Sequence, residues 1–477
     1  MNINWQRKRV LILGAARQGQ ALARYLARHG AVVTLNDHRP REEMGTARRA
    51  LGDQPIQWVF GSHPIELLNE ADLVCLSGGI PLTLPIVAEA QKRGIPLSND
   101  TQIFMEVAPC KTIGITGSAG KTTTTTLVGR MAQAEVNKNE SARMTPKYSS
   151  HTLQPFNAWI GGNIGDPLLN HVDEMKTNDL AVLEISSFQL EQMTISPNVA
   201  GILNITPNHL DRHGTMEAYI AAKARILEFQ KERDTAVLGR DDPGAWRLRN
   251  KARGNLLSFG INRLNDGQEG TYIQDGTLYL QAGKANIPLF KQENIHLRGE
   301  HNRLNVLAAC AIAHAANLSR DAMLNAIEDF HGVPHRLELV REWRGAHWYN
   351  DSIATAPERT MAAIRSFEEP IVLLLGGRDK DLPWSDLANL VHQRVDHVIL
   401  FGEAAEKIIA ALGESKSEKR PYSLTRCERL QEAIHAAAEI TQPGNVVLLS
   451  PGGTSFDEFQ DFEERGEHFR RWVLELP

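Results

Sequence analysis

Short apolar runs, each followed by a stretch of helical periodicity, recur along the whole of this chain. In the first hundred residues Val10-Leu-Ile-Leu13, Val32-Val-Thr-Leu35 and Leu73-Val-Cys-Leu76 read as strands, with a helix through Leu26 between the first two. Apolar strands alternating with helices predict a parallel sheet covered on its faces. The same rhythm returns at Leu180 to Ile185 and at Val199 to Ile205, and beyond them Thr271 to Leu280 alternates around Asp275-Gly276, which predicts a hairpin. A third series begins near Val333, with strands at Trp348 to Asn350, Ile371 to Leu375, Val398 to Phe401 and Val446 to Leu449. The expected fold class is therefore α/β in three domains. Residues 1–99 form a Rossmann-like sheet, 100–332 a central phosphate-loop, ATPase-like domain, and 333–477 a doubly wound C-terminal domain. The segment 136–157, with Pro146 and Pro155 and no periodicity, reads as an exposed, mobile insertion.

Composition narrows the partners. A chain of 477 residues exceeds what one core organises, and its 42% hydrophobic and 23% charged content is that of a globular protein. A net charge of −5 gives no global attraction to nucleic acid or to anionic membranes, so phosphate binding must come from local clusters. Cys75, Cys110, Cys310 and Cys427 form no CxxC pair, which points to a reducing compartment and no structural zinc. Arg7-Lys8-Arg9 before Val10 to Ala16 mimics a signal peptide, but the run is short and Arg17 follows, so it reads as a first strand. No stretch has the apolar length of a membrane span. The expectation is a cytoplasmic monomer acting on small molecules, without nucleic acid or membrane insertion.

The densest chemistry lies in Thr112 to Thr122, an apolar run that breaks into Gly117-Ser118-Ala119-Gly120-Lys121-Thr122-Thr123 and opens a helix. Backbone N–H groups of such a turn wrap an anion, the lysine neutralises it, and the threonine hydroxyl holds Mg²⁺, which points to ATP. The strict pattern wants a glycine where Ile115 stands. A second glycine turn, Gly14 to Gly19, resembles the dinucleotide fingerprint with Ala16 in place of its middle glycine. Asp37, at the end of the next strand, is set to meet a ribose or a similar polar group. Glu184 ends an apolar strand, where an unpaired carboxylate is costly unless it binds something such as Mg²⁺. His209, in Thr206 to Arg212, is either a structural hydrogen-bonding partner or a ligand beside the same sheet edge. Lys223 falls inside the apolar stripe of Met216, Tyr219, Ile220, Ile226 and Leu227. It is either a desolvated amine able to react with CO₂ or a lysine whose stem packs while its ammonium reaches water. In the helix Asn302 to Ala316, Asn302 or Asn305 could bond an adenine, and capping would also explain Asn302. Arg336 and Lys380, near glycine turns, suit a polyphosphate or carboxylate, with solvated surface charge as the alternative. Thr454 and Ser455 are expected to open a helix after a Pro-Gly-Gly loop, a seat for a carboxylate.

Nine ordered motifs resemble the Mur ligases: TGSAGKTT at 116–123, GGNIG at 161–165, LEISSFQLE at 183–191, NHLDRHG at 208–214, AAKARI at 221–226, GEHNRLN at 299–305, PHRLE at 334–338, NDSIAT at 350–355 and SPGGTSFDEFQDFEERG at 450–466. The last block is similar to the branch that adds D-glutamate. The resemblance implies ATP-dependent joining of D-glutamate to UDP-N-acetylmuramoyl-L-alanine through an acyl phosphate, in peptidoglycan synthesis. It implies Lys121 on the β/γ-phosphates, Thr122 and Glu184 on one Mg²⁺, and His209 with a carbamylated Lys223 supporting a second. Gly117 to Thr123, Asn302, Asn305, Arg336 and Asp351 would hold ATP. Arg17, Gln18, Asp37, Arg39, Ser77, Gly79 and Asn163 would hold the UDP-sugar, and Thr355, Lys380, Ser455 and Phe462 would surround D-glutamate. Three departures stand out. Ile353 occupies a position where the family commonly has lysine, leaving Arg359 or Arg378 to supply the cation, and Ala16 and Gly78 replace a glycine and a proline. Two rivals stay open: a protein that binds these precursors without ligating them, and a nicotinamide-dependent oxidoreductase built on Gly14 to Gly19.

Overall fold

The structure, a computed structural model, describes residues 3–144, 156–265, 267–413 and 419–477. Among these residues the strands form three sheets. The first comprises β1 (Arg9–Leu13), β2 (Val32–Asp37), β3 (Ile56–Phe60), β4 (Leu73–Leu76) and β5 (Leu97–Ser98), in the order β3-β2-β1-β4-β5 and parallel throughout. Both faces are covered. Val10 and Ile12 point into one apolar cluster, Leu11 and Leu13 into another, so the strand reads as a continuous apolar run.

The second sheet contains β6 (Lys111–Thr116), β7 (Ala158–Gly162), β8 (Leu180–Glu184), β9 (Val199–Ile202), β10 (Thr235–Gly239), β11 (Asn255–Phe259), β12 (Gly270–Gln274), β13 (Thr277–Ala282) and β14 (Ala285–Lys291). Its order, β14-β13-β12-β11-β10-β9-β6-β8-β7, places β6 between β8 and β9. The ends of β6, β8 and β9 therefore lie side by side, where ligands of open parallel sheets gather. The hairpin expected around Asp275-Gly276 is β12–β13.

Buried residues of the first two sheets belong to one contiguous cluster, and the link between them is pinned by polar contacts. Asn99 caps the helix Asp100–Val107 by accepting from the Gln102 N–H, and its own amide donates to the Gln189 carbonyl at 2.9 Å. Both sheets accordingly fall in one compact unit, Met1–Ile295 with Glu300–Asp329. The second unit, His296–Gly299 with Phe330–Pro477, holds the third sheet. It contains β15 (Glu338–Trp343), β16 (Ala346–Asn350), β17 (Ile371–Gly376), β18 (Val395–Phe401), β19 (Ser423–Arg426) and β20 (Val446–Gly452), in the order β15-β16-β20-β17-β18-β19. All its pairings are parallel except β15–β16.

Two expectations need correction. The helix opened by Lys121 runs to Met144 with Val136 buried, so 136–144 is helical; residues 145–155 lie outside the described residues. Thr454 and Ser455 do not open a helix. The Thr454 N–H donates to the Arg378 carbonyl at 2.8 Å, which commits it to a neighbouring loop, and the helix begins only at Phe462, capped by Asp461. No helix among the described residues is long and apolar enough to cross a membrane.

Candidate active site

The turn after β6 is built by what flanks it. Gly120 has φ +82°, and a Cβ there would stand 2.2 Å from Asn305 Oδ1, so only glycine fits. That places Asn305 against the turn, its amide donating to Asn302 Oδ1 at 3.1 Å. The helix carrying both begins at Glu300, so Asn302 sits inside its first turn and is not its cap. Asn204 clamps the turn reciprocally: its Oδ1 accepts from the Ala119 N–H at 2.8 Å, and its amide donates to the Ala119 carbonyl at 3.1 Å. The Ser118 hydroxyl donates to the Thr206 carbonyl at 2.9 Å and lies 3.0 Å from the Tyr219 hydroxyl. Lys121 is the first residue of the helix, and its ammonium donates back to the Gly117 carbonyl at 2.9 Å. Thr122 follows it, partly exposed, and Thr123 is buried.

Lys223 decides between its two readings. It is 1% exposed, on a helix capped by Thr215, and its amine donates to the Gly117 carbonyl at 3.0 Å and the Thr116 hydroxyl at 3.3 Å. It does not reach water. Two amines thus share the Gly117 carbonyl, and Lys223 also lies 4.8 Å from the centre of the Tyr219 ring. Burial, reinforced by the Lys121 ammonium and opposed by Glu184, holds its pKa well below that of an ordinary lysine.

Glu184, at the end of β8, is 2% exposed. Its Oε1 accepts from the Asn163 amide at 3.0 Å, while Oε2 is buried without a hydrogen-bond partner. A buried carboxylate oxygen left bare is costly, and a cation satisfies it. No three His, Cys, Asp or Glu side chains among the described residues gather into a metal cage. Mg²⁺ fits this setting, since it binds through one or two carboxylates, water and substrate phosphates.

His209 is held at φ +53° and packs edge-on against Phe188, ring centroids 5.2 Å apart. Phe188 also stacks on His213 at 5.1 Å and carries the Arg212 guanidinium over its face at 4.0 Å. The His213 ring is buried, its Nε2 is 2.9 Å from the Ser187 hydroxyl, and its Nδ1 is 2.7 Å from Glu191 Oε1. His213, Arg212, Asn204 and the Tyr219 hydroxyl were not singled out from sequence. Asn204 alone carried a usable signal, a polar residue just past an apolar strand, as Glu184 is.

The turn after β1 has φ +89° at Gly14, and a Cβ on Gly19 would stand 1.8 Å from the Gly14 carbonyl oxygen. Asp37 fastens it by accepting from the Ala15 N–H at 2.8 Å, and the Arg39 fork grips the same carboxylate at 2.9 Å through both Nε and Nη2. Burial alone would raise the Asp37 pKa. The Arg39 side chain and the Ala15 and Arg39 N–H groups overcome this and hold it well below the usual carboxylate range. Gln18 Oε1 accepts from the Gly78 N–H at 2.8 Å, beside buried Ser77 and exposed Gly79. Arg17 donates to the Gly165 carbonyl at 3.3 Å, which brings this turn to the loop that carries Asn163. The proposed sugar-nucleotide residues are thus neighbours.

In the second unit, Asp351, Lys380 and Ser455 follow the ends of β16, β17 and β20. Asp351 accepts from the Ser450 hydroxyl at 2.8 Å and the Leu337 N–H at 3.2 Å. Burial pushes its pKa up to about 7, against those donors and the charges of Arg336 and Arg359. Arg336 follows His335, which has φ +62° and is buried against Gly466. Thr355 is half-buried, Ser455 buried, and the Phe462 carbonyl accepts from the Ser352 hydroxyl at 2.8 Å. The residue missed here is Arg465, 0% exposed, whose guanidinium donates to Ser352 and to the Gly453 carbonyl. Burial lowers its pKa to about 10. With Phe469 and Val473 it forms a buried stripe at helical spacing, the same signal that marks Lys223.

Comparison with known proteins agrees along the whole chain. The family model for the Mur ligase middle domain matches residues 115–313, that for the Mur ligase glutamate ligase domain matches 335–453, and that for the MurD-like N-terminal domain matches 8–99. The UDP-N-acetylmuramoylalanine--D-glutamate ligase of Symbiobacterium thermophilum is 36% identical over 471 residues, covering 98% of both chains. The protein of that name from Geobacillus kaustophilus is 38% identical over 475 residues, covering 99% of this chain and 98% of its own. Among solved structures, MurC from Thermotoga maritima aligns with TM-score 0.55 at 20% identity, covering 98% of this chain and 99% of that one. MurF from the same organism, in complex with ADP, aligns with TM-score 0.53 at 17% identity over 100% of both chains. These two establish a shared fold.

Proposed function

The chain belongs to the Mur ligase family, and from that premise we propose that it joins D-glutamate to UDP-N-acetylmuramoyl-L-alanine at the expense of ATP, in peptidoglycan synthesis. What carries the reading is identity of 36–38% to ligases of that name along nearly the full length of both partners. The alanyl carboxylate attacks the γ-phosphorus, ADP leaves, and the resulting acyl phosphate is opened by the amine of D-glutamate with release of phosphate. The protein's part is positioning and charge neutralisation. Lys121 serves the β/γ-phosphates, with Gly117 to Thr123, Asn302, Asn305, Arg336 and Asp351 holding the nucleotide. Arg17, Gln18, Asp37, Arg39, Ser77, Gly79 and Asn163 orient the sugar nucleotide. Thr355, Lys380, Ser455 and Phe462 receive D-glutamate.

Thr122 and the bare oxygen of Glu184 would hold Mg²⁺, which supplies neutralisation of the phosphate oxygens. Lys223 is suited to carbamylation: its neutral amine adds to CO₂, an N–C bond forms and a proton is released. The new carboxylate, with His209, would support a second ion. Co-substrates of this kind support a cytoplasmic site of action.

The test supplies ATP and UDP-N-acetylmuramoyl-L-alanine with D-glutamate, L-glutamate or other amino acids, and reads phosphate release and product mass. Phosphate release is expected to be fastest with D-glutamate, giving a product heavier by one glutamyl residue. Release indifferent to the amino acid, or no new amide, overturns the reading.

A further inference from the structure

The loops after β16, β17 and β20 are hydrogen-bonded to one another. The Gly452 N–H donates to the Ala354 carbonyl at 2.8 Å, and Arg378 and Thr454 exchange two backbone bonds of 2.8 Å. Three cations meet at this end of the sheet. Lys380 is on the second loop. Arg465 is buried under the first and third through Ser352 and Gly453. Arg359, in the helix Pro357–Ile364, turns back so that its guanidinium donates to the Ile353 carbonyl at 3.1 Å. Among the described residues none of these three has a carboxylate within ion-pair distance. Their neighbours do: Arg378 forks onto Glu403 at 2.8 and 3.0 Å, and Lys407 is taken by Asp379. Arg378 is therefore committed, and of the two candidates for the cation missing at Ile353 only Arg359 has its charge available. Burial first, then Arg359 and Arg465, lower the Lys380 pKa, so the charges act on one another, with Asp351 facing Arg359 and Asp457 and Glu458 facing Arg465 as longer-range counter-charges. Like charges drawn together repel, and an anion that docks among them removes the cost.

We infer that Arg359 is a specificity-determining residue whose guanidinium, exposed beside Thr355 and Lys380, holds a carboxylate of the incoming amino acid. The inference rests on the ligase reading above. A planar fork suits a carboxylate in a way that a lysine at 353 would not reproduce.

Arg359→Gln, Arg359→Lys and, as a control, Arg378→Gln are to be assayed with D-glutamate, with D-glutamine, which lacks the side-chain carboxylate, and with 4-aminobutanoate, which lacks the α-carboxylate. Arg359→Gln is expected to raise KM for D-glutamate about tenfold or more, as loss of one charge-assisted contact does, with KM for ATP within about twofold of the parent. Its preference for D-glutamate over one of the two analogues falls by a similar factor, and which analogue identifies the carboxylate held. Arg359→Lys recovers part of the loss, and Arg378→Gln shows none. An unchanged KM for D-glutamate in a folded Arg359→Gln, a loss falling equally on ATP, or unchanged discrimination against both analogues overturns the inference. Failure of the unmutated protein to consume D-glutamate overturns the ligase reading instead, so the two failures are distinguishable.

Discussion

The two glycine turns of the first unit, one after β1 and one after β6, share a plan: a buried parallel strand, a glycine at positive φ and a helix that starts at a cation. They differ in what the adjacent chain gives to their backbone N–H groups. In the first, an ionised carboxylate, Asp37, takes the Ala15 N–H and is itself gripped by Arg39. In the second, the neutral amide of Asn204 takes the Ala119 N–H, and two lysine amines converge on the Gly117 carbonyl. Glycine spacing therefore leaves the ligand class open, and side chains from neighbouring strand ends decide it. A triphosphate with its metal is favoured where amines gather, whereas at the first turn the Asp37 charge is already paired by the Arg39 fork.

If that division holds, removing the cation of each turn has different kinetic signatures. Lys121→Ala is expected to lower kcat roughly a thousandfold, about 4 kcal/mol of transition-state stabilisation, measured as phosphate release. Arg17→Ala is expected to raise KM for the UDP-sugar about tenfold with kcat within about twofold. Equal losses of kcat in both variants would erase the distinction.

Lys223 sharpens it on the stability side. Its pKa is depressed in the folded protein, so between the folded and unfolded values the unfolded chain binds more protons than the folded chain. Folding is penalised there, and the penalty fades as pH rises toward the unfolded value of about 10.4. Lys223→Met should therefore unfold at higher temperature than the parent at pH 7 in CO₂-free buffer, with the difference closing by about pH 10, while turnover is lost. Lys223→Ala activity should be partly restored by short carboxylates if the carbamate is the working form. A Lys223→Met gain that does not change with pH would mean that packing, and not a desolvated amine, is what was relieved.

How far these features were legible beforehand follows from burial. Among strands covered on both faces, β1 and β17 appear as unbroken apolar runs and were read directly, whereas β10, Thr235-Ala-Val-Leu-Gly239 and equally buried, has only three apolar residues in a row and was not. Half-exposed β3 and β15 carry Gln57 and Arg341 within their lengths, lose the pattern, and were not read. Glu184 was legible because a carboxylate ending an apolar strand is an anomaly, and Lys223 because it interrupts a helical stripe. Arg465 makes the same interruption but lies among Glu463, Glu464 and Glu467, where local acidity hides it. The Thr454 expectation failed because a hydroxyl after glycines satisfies local capping rules, whereas its N–H is taken by Arg378, 76 residues away in sequence, a contact no local pattern contains.

Backbone substitutions test the two turns more gently. Gly120→Ala meets Asn305 at 2.2 Å, the end of a side chain, whereas Gly19→Ala meets the Gly14 carbonyl at 1.8 Å, which is backbone and cannot swing away. Both should destabilise by about 1–3 kcal/mol in denaturant unfolding, with Gly19→Ala the larger.

The smallest expected effect belongs to Asp37. Its folded pKa is depressed, so it contributes stability above the unfolded carboxylate value of about 3.9, and that contribution is lost as pH falls through the folded value. The melting temperature of Asp37→Asn should therefore lie below the parent's at pH 7, with the gap narrowing as pH drops below about 4. Because the first turn is clamped by a carboxylate and the second by a neutral amide, Asn204→Asp tests the converse, keeping the acceptor for the Ala119 N–H but losing the donor to the Ala119 carbonyl. It would add a charge that attracts Lys121 and Lys223, and raise KM for ATP without a matching rise for the UDP-sugar. A rise in both would show that the two turns respond as one site.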